Sequence, residues 1–476
     1  MKKITLLLIC AFPLTVQAQV YIDASDNLPD NGAKKQSMDV RAADLDGDND
    51  LDIILANEFQ PNTILLNDGT GTFTNGTAGN LPQVTHDSED VAIADFNNDA
   101  KLDLVFCSED DVTLGQTNVH EFYLGDGLGS FSTASFQLPD SEANAVITAD
   151  LNNDSLPDLL FGNNGGTGVL INNGDGTFSI ENDRVPQVNR TTQDLALADV
   201  DGDLDLDLFE GNENGNLLHI NDGNGQFTDE TSTRLPQGLN IETRKVTFGD
   251  VDGDNDVDVF LSNVAFIPGK NRQNRLFLND GNGVFTDATT THLPVDNDHT
   301  IDAIFEDMDL DGDLDLIVCN VFGGPIKIYE NDGYGRFINK TLDLLGQLYF
   351  RDALGVIAED FNGDDLRDIY ICDRKTPQTN NKDLLLMHTP ISSSGEATSN
   401  TGQVVVFPNP VRDYFYVQTD QMTVDSIQIA DIQGRVLTTI RPQRQREGLY
   451  YCKMDRLPTG TYVLEIGGIS RKIIVP

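Results

Sequence analysis

Seven loops in this chain each gather four oxygen-bearing side chains within nine residues, at positions 1, 3, 5 and 9. The first holds Asp44, Asp46, Asp48 and Asp52, and the second Asp95, Asn97, Asp99 and Asp103. Then come Asp150, Asn152, Asp154 and Asp158; Asp199, Asp201, Asp203 and Asp207; and Asp250, Asp252, Asp254 and Asp258. The last two hold Asp307, Asp309, Asp311 and Asp315, and Asp360, Asn362, Asp364 and Asp368. Oxygens at that density suit a hard cation, most plausibly Ca2+, which takes roughly six to eight of them. The carbonyl at position 7 (Asp50, Lys101, Leu156, Asp205, Asp256, Asp313 or Leu366) would add a fifth ligand and water could complete the shell. Up to seven calcium ions are expected.

Position 4 is Gly or Asn in six loops, which fits a left-handed turn around the ion, and the sixth moves its glycine to position 6, Gly312. An EF-hand would need flanking helices and a Glu at position 12, where the first loop has Leu55 in a strand-like run. Zinc would want Cys or His, which these loops lack. Simple solvated acidic turns are the remaining rival. It is strongest for the second loop, with Ala100 and Lys101, and the third, with Ser155, Leu156 and Pro157.

The loops recur every 49 to 57 residues, a period that marks a repeat architecture. In the fifth repeat a strand from Lys245 to Gly249 enters the loop and Val257 to Leu261 leaves it. Arg275 to Leu278 follows, and the turn Asn279-Asp-Gly-Asn-Gly283 leads into a fourth strand from Val284. Similar turns precede Phe73, Phe131, Phe178, Phe227, Phe285 and Phe337. Four short antiparallel strands per repeat describe the blade of a β-propeller. The seventh repeat stops after Leu384-Leu-Leu386, without its turn or its Phe. The chain's start, Tyr21-Ile-Asp-Ala-Ser25 then Leu28-Pro29, matches Phe285-Thr-Asp-Ala-Thr289 then Leu293-Pro294. An N-terminal strand completing the last blade would close the ring and remove two exposed edges. The expectation is an all-β fold: a seven-bladed propeller over 19–390, closed by an N-terminal strand and followed by a small β-sandwich.

The net charge is -46, nearly all of it before residue 401, where 22 Lys/Arg meet 70 Asp/Glu. That excess argues against nucleic acid or an anionic membrane as partner of the main body. Lys2 and Lys3, the apolar run Ile4 to Leu14 and Val16-Gln-Ala18 read as a signal peptide over 1–18, and no other apolar run is long enough to span a bilayer. Cys107, Cys319 and Cys372 each fall four residues after the last Asp of a loop, where other repeats have Ala56, Gly162, Gly211 and Ser262. They are expected to be packed thiols, not a disulfide framework.

On these seven loops the chain resembles the FG-GAP/VCBS family, whose seven-bladed propellers include the head of integrin α chains. The resemblance covers residues 20 to about 390 and implies calcium with a structural role in the loops; it names no substrate. After a polar linker at 391–402, residues 403–476 resemble the type A C-terminal sorting domain of the type IX secretion system of Bacteroidetes. The resemblance rests on Phe407-Pro-Asn-Pro410, a central Gly434-Arg435, Leu457-Pro-Thr-Gly-Thr-Tyr462 and the closing Lys472-Ile-Ile-Val475. It implies handling by that secretion machinery and a secreted or outer-membrane-attached location in a Gram-negative bacterium. A carbohydrate-binding or fibronectin-like module is the rival reading of the tail.

The expected function is a surface or secreted binding or adhesion module, a monomer, for a glycan or protein partner on the face opposite the calcium loops. An extracellular polysaccharide lyase or hydrolase is the alternative, and a purely structural surface protein the third. Arg244, Lys245, Phe266, Lys270, Arg272 and Arg275 cluster in the fifth repeat's connections on that face, with Arg351, Arg374 and Lys375 in the seventh, and suggest an anionic ligand. Asp39, Asp90, Asp194 and Asp302 lie five residues before their loops, in a series broken by Ala145, Lys245 and Gly355. They could hold a cation or sugar hydroxyl, or stitch blades together through backbone hydrogen bonds.

Overall fold

The computed structural model describes residues 20–110, 112–374 and 382–389, and most of the tail's strands between 404 and 475. The expected signal peptide, the linker and Lys375 lie outside the described residues. The chain divides into two compact units, 1–391 and 392–476.

Among the described residues, the strands of the first unit form five four-stranded antiparallel sheets, and those of the first two repeats join in one eight-stranded sheet. The first repeat runs Ser37–Ala43, Asp52–Gln60, Thr63–Asn67 and Phe73–Asn75. It joins the second through Glu58 opposite Asp87 and Gln60 opposite His86. The last combines Ala353–Glu359, Asp368–Asp373 and Leu384–Thr389 with Val20–Asp23, which pairs Tyr21 with His388 and Ile22 with Met387. The N-terminal strand therefore completes the final blade. The innermost strands pack in cyclic order, with Ser37–Ala43 against both His86–Ala94 and Ala353–Glu359.

Apolar side chains fill the gaps between neighbouring sheets. Ile53, Leu55, Leu65 and Phe73 of the first blade share a core with Phe361, Tyr370 and Leu385 of the last. All six hairpin phenylalanines are buried. Second strands such as Asp103–Ser108 are buried at every residue because sheets flank both faces. Cys107, Cys319 and Cys372 lie there as free buried thiols. Short helices at Thr231–Arg234, Thr289–His292 and Thr341–Leu345 follow three of the outer strands. In the fifth blade the helix leaves an outer strand of only Thr286–Asp287, shorter than the run expected from Val284.

In the second unit one sheet orders Val404–Phe407, Tyr414–Thr419, Leu449–Lys453 and Gln443–Arg446. The other orders Val436–Ile440, Ile427–Asp431, Gly460–Ile466 and Ile469–Val475. Phe415, Val417 and Tyr450 from one sheet and Ile427, Ile429 and Leu464 from the other share one core, which makes a β-sandwich.

Candidate metal loops and axial pocket

Each acidic loop is wired to present its carboxylates. Asp250 Oδ1 accepts the N–H of Gly253 at 2.8 Å and its Oδ2 that of Asn255 at 3.0 Å. To turn those amides inward, positions 4 and 6 are both left-handed in all seven loops: Gly253 has φ +77° and Asn255 +72°. Sequence pointed only to position 4. At position 6 Ala100, Ser155 and Leu204 adopt positive φ, a strained choice for residues with a Cβ.

Position 9 does different work. Asp258 Oδ2 accepts the N–H of Val251 at 3.1 Å and Oδ1 that of Asn279 at 2.9 Å. The same double acceptance recurs at Asp52, Asp103, Asp158, Asp207, Asp315 and Asp368. These carboxyls are buried, and burial pushes Asp258 up to about 7 and Asp52 to about 6. Position 9 is a staple from the loop to the third strand, and each oxygen keeps a lone pair for an ion.

Calcium fits the remaining oxygens. In the first, fourth, fifth and sixth loops the carboxylates of positions 1, 3 and 5 bring oxygens within 4.8 Å of one another. The position-3 Oδ1 of Asp46, Asp201, Asp252 and Asp309 is buried with no hydrogen-bond partner. Burial, then the neighbouring position-5 charge, raises each of these carboxyls, Asp309 to about 6. A cation at positions 1, 3 and 5 would satisfy the orphaned oxygen and cancel the repulsion. In the second, third and seventh loops Asn97, Asn152 and Asn362 already accept the position-5 N–H at 3.0 Å. Position 7 contributes packing as well: a Cβ on Gly281, at φ +75°, would stand 2.5 Å from Asp256 Oδ2.

At the opposite ends of the inner strands a cavity of about 300 Å³ sits on the ring axis, lined from all seven innermost strands. At its floor the aspartate series stitches blades together. Asp90 Oδ2 accepts the N–H of Val146 at 3.0 Å, Asp194 Oδ2 that of Val246 at 2.8 Å and Asp302 Oδ2 that of Val356 at 2.8 Å. Asp39 departs from the pattern. Arg41 bridges its Oδ1 at 2.8 Å to Asp90 Oδ1 at 2.9 Å, and its Oδ2 has no partner. Burial and the Asp90 charge hold Asp39 well above the ordinary carboxylate range. Lys245 Nζ lies 3.2 Å from Asp194 Oδ1; burial opposes its charge, but Asp194 and Asp302 hold the ammonium above its usual value.

Of the expected ligand residues, Arg244, Lys245 and Phe266 line this cavity. Lys270, Arg272 and Arg275 lie outside the lining, on the Ile241 carbonyl, His299 and Asp287 respectively. The basic charges in the lining are matched: Arg244 lies 2.8 Å from Glu242, Lys245 on Asp194, and Arg374 against Glu58. Each of these charges has a carboxylate beside it, while Arg244 Nε is buried in the lining with no hydrogen-bond partner.

Sequence reading missed Phe322, which lies 5.4 Å from Phe266 and 5.3 Å from His299 between ring centres. Phe322 is 72% exposed at φ +56°, its N–H donated to Asp352 Oδ1 at 2.8 Å. The available signals were a Phe-Gly-Gly tip after the second strand of the sixth repeat and a Phe at the same offset in the first, Phe59, which is likewise exposed at φ +53°. Elsewhere, Ser141 Oγ lies 2.8 Å from His120 Nε2, but His120 Nδ1 accepts the Ser108 N–H. Burial lowers this histidine to about 4, so the neutral ring carries its proton at Nε2, and Ser141 has no base there.

FG-GAP-like repeats match residues 44–106, 150–210, 199–261, 263–318 and 307–371, more than half of the chain. A secretion system C-terminal sorting domain matches 405–475. Human cartilage acidic protein 1 is 33% identical over 120 residues, 24% of this chain and 17% of that protein. The Xenopus tropicalis protein of that name gives the same figures, so the chain spans under a fifth of these relatives. Among solved structures, the extracellular domain of a hybrid two-component system from B. thetaiotaomicron gives a TM-score of 0.46 at 12% identity, over 96% of this chain and 47% of that one. An Agrocybe aegerita lectin recognising non-reducing terminal N-acetylglucosamine gives 0.43 at 17%, over 72% and 86%. With its repeats matched over a closed succession of four-stranded sheets, this chain belongs to the FG-GAP-like repeat family and ends in a secretion-system sorting domain.

Proposed function

We propose that this protein is a calcium-loaded surface or secreted binding module that captures a glycan or protein partner in its axial pocket. The sorting domain implies export by type IX secretion, and among the described residues no helix is long and apolar enough to cross a membrane. Phe322 carries the reading. A phenylalanine held largely in solvent at positive φ costs on the order of 1–3 kcal/mol, a strain that clusters at binding sites. With Phe266 it gives a concave, partly charged pocket an aromatic wall, the composition of a recognition site. The catalytic alternative lacks support of this kind, since the one Ser–His contact noted has the wrong tautomer.

Screening the calcium-loaded protein against glycan and surface-protein arrays should yield ligands whose affinity falls at least about tenfold in the Phe266→Ala, Phe322→Ala double variant. Undiminished binding by that variant, with an unchanged circular dichroism spectrum, would move the site elsewhere. Cell fractionation would tell a released product from an attached one.

A further inference from the structure

In four repeats the residue just before the closing apolar-Pro pair grips the hairpin of the next blade. Asn27 Nδ2 donates to the Gly71 carbonyl at 3.1 Å, and Asn80 Oδ1 accepts from Ser130 Oγ at 3.1 Å. Arg184 and Arg234 make the same reach with a charge, donating to the carbonyls of Asn224 and Asn282. Each is held from behind by a glutamate of its own repeat. Arg184 Nε lies 2.6 Å from Glu181, and Arg234 Nε lies 2.5 Å from Glu230.

Arg234 makes a further contact. Its Nη2 stands 3.1 Å from Asp201 Oδ2, the position-3 carboxylate of the fourth acidic loop. The other oxygen, Asp201 Oδ1, is left buried and without a partner. In the third repeat position 3 is Asn152, so that loop offers Arg184 no acid there. Among the described residues, Asp201 is the one position-3 acid of the seven loops that forms an ion pair. Both side chains are only 16% exposed, so salt screens the pair little.

Calcium affinity in an oxygen loop is tuned by the charge its ligands bring. Arg234 neutralises part of that charge in advance. A doubly charged ion and a guanidinium that share one carboxylate repel each other, by roughly tenfold in affinity even at the dielectric of water. Glu230, 37% exposed, offsets part of this. We infer that Arg234 sets the calcium affinity of the fourth loop, making it the weakest of the four loops with three crowded carboxylates. This rests on the loops taking calcium. The fourth loop then fills last as calcium rises and empties first as it falls, while the first, fifth and sixth stay loaded. Because the same guanidinium grips the Asn282 carbonyl, that loop and the seam between the fourth and fifth blades depend on one side chain.

Hydrogen exchange read by mass spectrometry on the full chain, across a titration from EGTA to millimolar calcium, tests this loop by loop. Peptides spanning 44–52, 199–207, 250–258 and 307–315 report the four midpoints in one molecule. In the parent the fourth loop should become protected last. Arg234→Gln, which keeps a donor for the Asn282 carbonyl, should lower its midpoint about three- to tenfold and leave the other three unmoved. Arg184→Gln, the same reach over Asn152, should move none of them. Both variants should lose a similar amount of melting temperature in EGTA, so a midpoint shift peculiar to Arg234→Gln belongs to the ion. The fourth loop also holds the strained Leu204 at φ +75°, which makes Leu204→Gly the rival arm. If Leu204→Gly lowers the midpoint and Arg234→Gln does not, backbone strain sets the affinity and the inference falls. It falls equally if Arg234→Gln raises the midpoint, since Arg234 then orients Asp201 for the ion. Calcium-dependent protection in no loop at all removes the metal reading, and this inference with it.

Discussion

Chelation with EGTA should lower the melting temperature of the propeller by more than about ten degrees, and millimolar calcium should restore it. The expectation rests on four loops in which three carboxylates crowd within 4.8 Å and the position-3 oxygen is buried without a partner. Without a cation, that oxygen and its repelled neighbours are a standing cost to the folded state. Binding to the native state alone stabilises by about 2.7 kcal/mol per site at a hundredfold excess over Kd. Four such sites approach the whole stability of a typical domain, about 5–15 kcal/mol. Each loop also joins the innermost strand to the second, so a loosened loop frees the strand that lines the axis. A melting temperature unmoved by EGTA, with no calcium by elemental analysis, would refute the metal reading.

The repeat was legible because each of its devices is local. Acidic loop, hairpin turn and trailing phenylalanine recur at fixed offsets, and the unmatched start and end of the chain complete each other. What escaped notice depends on contacts between blades. Ala145, Lys245 and Gly355 looked like breaks in the aspartate series. Each stands in the blade after Asp90, Asp194 or Asp302, and the next residue (Val146, Val246 or Val356) donates its N–H back to that aspartate. Alternation is how one carboxylate reaches across without meeting another. Where two acids do fall in succession, at Asp39 and Asp90, Arg41 bridges them. Two of the basic residues take carboxylates that are remote in sequence and so could not be read from it: Arg374 meets Glu58, and Lys245 meets Asp194. Phe322 shares its repeat offset with Phe59, which is also exposed at positive φ, but the exposure and the backbone angle of both are set by the fold and leave no mark in the sequence.

Two substitutions in one loop should separate the ion from the scaffold. Asp252→Ala removes a position-3 carboxylate whose orphaned Oδ1 and raised pKa, due to burial and then Asp254, make it costly without calcium. In calcium it should lower stability by roughly the worth of one site, about 2–3 kcal/mol. In EGTA it should leave the protein as stable as the chelated parent, or more so, because a repelled charge is gone. Asp258→Ala acts on position 9. It strips the buried Val251 and Asn279 backbone amides of their acceptor, at about 1–3 kcal/mol for each orphaned group. The loss of roughly 2–6 kcal/mol should therefore persist in both buffers. Chemical denaturation of the two variants and the parent, each with calcium and with EGTA, gives the six numbers needed. If the Asp258→Ala deficit vanishes in EGTA, position 9 acts through the ion and the staple assignment fails. If Asp252→Ala is as damaging in EGTA as in calcium, its side chain holds the loop together unaided, and the orphaned oxygen loses its meaning as a metal ligand.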